Sequence, residues 1–134
     1  MTNFLNAIPS LQLLSLALLA ILFLQSGLDK VFNYKGNLEW LTGHFAKSPL
    51  KNMVGIMMPT ITLLEVAAGF CCFLGLIELI LNGSTRIGLI GAQLSALSLL
   101  ALFFGQRIAQ EYEGAASLIN YFLLSMASIY LMQF

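Results

Sequence analysis

Charge is what this sequence has least of: six Lys or Arg and six Asp or Glu in 134 residues, 9% in all, against roughly a quarter in a soluble domain. The two signs cancel, so neither a basic surface for nucleic acid nor an acidic one for a cationic partner can be assembled from them. Histidine occurs once, at His44, with no second His, Cys or carboxylate at a ligand spacing, which argues against a metal site. Cysteine occurs twice, as the adjacent Cys71 and Cys72. Neighbours on a helix point about 100° apart, so these read as free thiols that pack as small apolar groups, not as a redox pair. There is no nucleotide-binding loop and no nucleophile paired with a base, which leaves the chain without the parts of an independent enzyme. Met1 to Gln12 holds no Lys or Arg and no small-residue cleavage site follows the first apolar run, so that run is expected to be a retained membrane helix, not a signal peptide.

What the sequence has is hydrophobic side chain, 59% of its residues, with a mean hydropathy of +0.89. That composition predicts an all-α fold, a four-transmembrane-helix bundle forming a single membrane domain over 1–134. The spans are expected at about 11–32, 59–81, 87–104 and 115–134. Pro9 and Ser10 supply a start for the first, and Gly36 with Asn37 a break after it. Ser48 and Pro49 suit the first positions of a helix running through Met58, and Pro59 is expected to kink or end it. Asn82, Gly83 and Ser84 read as a tight turn, and Gly105 to Gly114 as a polar connector. Nothing resembling a soluble tail or second domain is expected beyond the fourth span.

The stretch from Leu24 to Lys51, which runs from the end of the first span toward the second, holds four of the six Lys and Arg residues, the lone His and the lone Trp. Within it Leu38, Leu41 and Phe45 recur at i, i+3, i+7, predicting a short amphipathic helix over about 37–46. Its expected place is flat on the membrane, with Trp40 and Phe45 dipping into the interface.

Polar residues inside the spans are the candidates for chemistry. Gln25 and Asp29, and Ser26 and Lys30, each stand at i, i+4 near the end of the first span, forming two adjoining stripes. Glu65 lies within the second span, where an ionised carboxylate costs several kcal/mol unless paired, hydrated or protonated. Gly69, Cys72 and Leu76 continue its helix face, and Gly69 allows a neighbouring helix to approach beside the carboxylate. The third span presents a small-residue face, Gly88, Gly91, Ala92, Ser95 and Ser98, with Gln93 its one strongly polar interior residue. Four antiparallel spans bring Gln25, Asp29, Lys30, Glu65, Arg107, Glu111 and Asn120 to one end of the bundle, the other end holding only Glu78 and Arg86. Two readings compete: a polar pocket in which Glu65 is held by Lys30 or Arg107 and a headgroup or small polar ligand docks under the interfacial helix, or helix-end charges that satisfy one another and lipid phosphates, Lys30 reaching the headgroups by its long stem. Arg107 and Glu111, also at i, i+4, are placed to pair. Five of the six Lys and Arg flank the loops after spans one and three, predicting that this end is cytoplasmic and both termini outside.

With Gly27-Leu28-Asp29-Lys30 closing the first span and Glu65-Val66-Ala67-Ala68-Gly69 in the second, the chain resembles the DoxX family of small bacterial membrane proteins. The likeness extends to the Gly105 to Gly114 connector, while Leu11, Gln12 and Leu13 stand where many members carry an arginine. The resemblance implies the bacterial cytoplasmic membrane and a role in a redox or detoxification complex, with a quinone as the implied ligand and no intrinsic cofactor. The leading expectation is therefore an accessory subunit that meets other membrane subunits or copies of itself in the lipid bilayer. The alternatives are a quinone-binding or quinone-reactive protein using Glu65, with Lys30 or Arg107 polarising a carbonyl, and a small proton-coupled transporter.

Overall fold

The structure is a computed structural model that describes residues 6–49, 51–110 and 112–134. Among these residues there are five α-helices and no strand: α1 (Ala7–Phe32), α2 (Tyr34–His44), α3 (Val54–Asn82), α4 (Arg86–Ile108) and α5 (Tyr112–Leu131). A 3-10 turn, Lys51–Met53, precedes α3. The four helices other than α2 are each long and apolar enough to cross a membrane. At ~1.5 Å rise per residue even α5, with 20 residues, matches a ~30 Å hydrocarbon core.

The helices form a ring in chain order. α3 packs broadly against both α1 and α4, α4 against α5, and α5 closes on α1 over a narrower seam. Leu16, Leu19, Phe23, Ala68, Cys72, Leu79, Leu99 and Met132 fill the centre, and their outward neighbours Leu14, Ile21, Leu63 and Leu81 stay exposed. Packing is closest where side chains are smallest. A Cβ on Gly75 would lie 2.5 Å from the Cα and N of Gly88, so α3 and α4 touch backbone to backbone there. Gly83 ends α3 in the left-handed region (φ 70) and its N–H donates to Leu79 O at 3.0 Å. Three residues later α4 begins, its Ile87 N–H satisfied by Glu78 Oε1 at 3.1 Å, with Arg86 3.7 Å from Glu78 Oε2.

Several boundaries depart from the sequence reading. The break after the first span falls at Asn33 (φ −122, ψ 45), and Gly36 with Asn37 lies inside α2. A Cβ on Gly36 would sit 2.7 Å from Asn33 Oδ1, a contact that the exposed Asn33 side chain can relieve by turning away. The Asn37 side-chain N–H meanwhile bonds Asn33 O at 2.9 Å. Ser48 and Pro49 start no α-helix; they belong to the turns leading to the 3-10 segment. Pro59 does not open the second span but is the sixth residue of α3, where its missing N–H forfeits only the bond to Gly55 O. Most of the expected polar connector is helical, since α4 runs to Ile108 and α5 is described from Tyr112. Polarity is not confined to one end either. At the opposite end the Gln12 side-chain amide donates to Leu131 O at 2.7 Å, Ser15 Oγ meets Ser128 Oγ at 3.1 Å, and Thr85 Oγ1 donates to Met132 O at 2.6 Å.

Candidate functional site

Glu65 lies about three turns into α3 and is 1% exposed, so its carboxylate has left water almost completely. Two groups from α1 compensate it: Ser26 Oγ donates to Glu65 Oε2 at 2.7 Å and Lys30 Nζ donates to the same oxygen at 3.0 Å. Lys30 Nζ also donates to Ser26 Oγ at 2.9 Å, closing a three-membered ring of hydrogen bonds. The i, i+4 spacing of Ser26 and Lys30 places both on the face of α1 that meets α3. Gly69, one turn beyond Glu65, lets α1 come close enough, because a Cβ there would lie 2.7 Å from Leu24 N. Lys30 therefore does not extend toward headgroups. Its side chain is 20% exposed and turned inward.

An ammonium has three N–H donors, and Lys30 uses two on Ser26 and Glu65. The third is left for the groove that Lys30 borders, a space of about 520 Å³. Trp40, His44 and Phe45 from the α2 end form one wall; Ile56, Met57 and Ile61 from α3 and Leu102 and Phe104 from α4 form the others. The size lies within the ~300–1,000 Å³ of small-molecule sites, and apolar walls with a few polar groups are their usual lining. His44 stacks on Trp40 with ring centroids 4.8 Å apart and meets Phe45 edge-on at 5.0 Å. Among the described residues, His44 Nε2 and Gln106 Oε1 are buried without a hydrogen-bond partner, and both residues border this groove.

Of the residues singled out from the sequence, Lys30 and Glu65 come together, with Ser26 as the third member of their cluster. Gln25, Asp29, Arg107 and Asn120 do not join them; all four are exposed. Asp29 Oδ2 instead accepts from Asn37 at 3.3 Å, and the Arg107 guanidinium stands 4.4 Å over the Tyr112 ring. Glu111, and with it the expected Arg107 pair, lies outside the described residues. Trp40 is 63% exposed as an interfacial residue would be, but Phe45 is buried at 4%. It lies over Gly105, whose absent side chain leaves 3.4 Å between an ideal Cβ and Phe45 Cζ. His44 was weighed only as a metal ligand, Gln106 was placed at this end by depth but not in the pocket, and the α3 methionines were missed. His44 had a signal, since it follows Trp40 by four residues on one helix face, whereas Gln106 reaches the groove only through the packing of α4. Among the described residues no cluster of His, Cys, Asp or Glu could hold a metal ion. Cys71 and Cys72 are free, and Cys72 sits in the core 3.5 Å from Ser95 Oγ.

Fold and site together define a class: a protein helical throughout its described ordered elements, with four helices long and apolar enough to cross a membrane, an internal ion pair and an apolar groove beside it. Within that class, comparison of the chain with protein-family models, with curated proteins and with solved structures finds no match in any of the three.

Proposed function

We propose that this protein is a membrane-embedded accessory protein that holds a neutral, lipid-soluble carbonyl compound of the quinone class in the groove beside Lys30. The observation carrying this reading is the unspent third N–H of Lys30 at the edge of a ~520 Å³ apolar space. Lys30 and Glu65 cancel in charge, so an anionic headgroup would meet repulsion from one as well as attraction from the other. A carbonyl oxygen needs only the hydrogen bond. Flat apolar rings suit the wall of Trp40, His44 and Phe45, and a hydrocarbon tail suits Ile56, Met57 and Ile61. The resemblance to the DoxX family adds support, because the lysine and glutamate that carry it are the two residues that pair. Electrons for turnover would come from a partner subunit in the same membrane. The resemblance supports a bacterial cytoplasmic membrane, the Lys and Arg distribution an orientation with this end inside, and the amphipathic pattern of α2 its place at the interface.

The test is purification at native expression level in mild detergent, followed by mass spectrometry of solvent-extracted quinones and of copurifying proteins. A quinone near one per chain is expected, and its loss in Ile61→Trp, which fills the groove, at unchanged thermal stability. Phospholipid alone, equally retained by Ile61→Trp, would sink the reading.

A further inference from the structure

Gln93 lies on α4 seven residues in from Arg86, about 10 Å along the helix, and its side chain is exposed. It makes no hydrogen bond with any described residue. In the bilayer that depth is inside the hydrocarbon, farther from the Arg86 end than glutamine's short stem can span, and an unpaired amide there costs several kcal/mol. Ile90, Leu97 and Leu100 surround it on the same outward face. Leu100, two turns along the same side of α4, borders an apolar crevice of about 230 Å³ between α4 and α5, completed by Phe103, Leu118, Ile119 and Phe122.

We infer that the α4 face around Gln93 and this crevice is where a second copy of the chain docks. An amide carries both donor and acceptor, so it is complementary to itself. Two copies inserted the same way are related by an axis along the membrane normal, which preserves depth; Gln93 then meets Gln93 and two reciprocal N–H···O bonds form. At the crevice the same axis brings α4 of the second copy alongside, with its exposed Leu97 and Leu100 at the matching depth. Asn120, also exposed, does not belong to this surface. Leu118, Ile119 and Phe122 turn toward the crevice, and Asn120 falls on the far side of α5 from them.

The experiment is single-molecule photobleaching of the full chain in lipid vesicles, with light scattering in mild detergent as a second readout. The wild type is expected to be a dimer. Gln93→Leu is expected to weaken it about ten-fold, Gln93→Asn to restore most of the loss, and Asn120→Leu to leave it unchanged. Gln93 is exposed, so Gln93→Leu keeps the monomer's fold and helicity. A monomeric wild type would overturn the inference, as would a dimer no more sensitive to Gln93→Leu than to Asn120→Leu, or a different protein cross-linking at Gln93.

Discussion

Removing either member of the Lys30–Glu65 pair leaves the other buried without its counter-charge, a change that costs about 3–5 kcal/mol in such sites. Because Lys30 keeps 20% exposure, Glu65→Gln belongs at the lower end and Lys30→Met, which strands the deeper group, at the upper. Denaturant titration in mixed micelles should show both, with the double variant Lys30→Met/Glu65→Gln much closer to wild type than the sum. Additive losses would mean the two residues are not coupled. This pair was legible in the sequence for a physical reason: a carboxylate within an apolar span needs a partner, and the Ser26–Lys30 spacing puts two donors on one helix stripe. Arg107, Asn120 and Gln25 were assigned to the same pocket by depth alone. Depth follows from counting residues, but facing depends on the rotational phase of each helix, which packing sets. All three turn outward.

At the level of elements, glycine contacts decide how closely the helices lie. Gly75→Ala drives a methyl into Gly88 backbone at 2.5 Å, with no flexible side chain to give way, and about 1–3 kcal/mol of destabilisation is expected from thermal unfolding in detergent. Gly83→Ala forces an L side chain to a φ of 70 and should cost about 1 kcal/mol, localised as faster hydrogen exchange at the end of α3. The four long apolar helices were legible because runs of twenty or so apolar residues have few other uses. Their ends were not. Proline signals a boundary in sequence, yet Pro59 sits inside α3 near its start, where the lost N–H bond and the crowding of the Gly55 carbonyl are tolerated within a continuous helix. Phe45 shows a similar ambiguity: an apolar residue at i+7 fits a lipid interface as well as a gap over Gly105, and only the fold chooses.

For the molecule as a whole, the single tryptophan lines the groove and stacks on His44, so Trp40 emission reports on occupancy. Adding a short-chain benzoquinone to the ligand-free protein should quench it saturably, with about ten-fold weaker binding in Lys30→Met/Glu65→Gln. Quenching linear in quinone concentration would indicate simple partitioning into the micelle. A pocket at this end was expected as a polar one; its apolar lining was not legible, since it is assembled from the end of α2, the start of α3 and the end of α4, segments far apart in sequence. The Lys30–Glu65 pair has one more consequence at this scale. A transmembrane voltage does ~2.3 kcal/mol of work per 100 mV on a charge that crosses the membrane, but almost none on an ammonium and carboxylate moving together at 3.0 Å. On the proposed reading, energising the membrane is therefore expected to leave the Lys30–Glu65 pair in place, and quinone occupancy of the groove should be the same in polarised and depolarised vesicles.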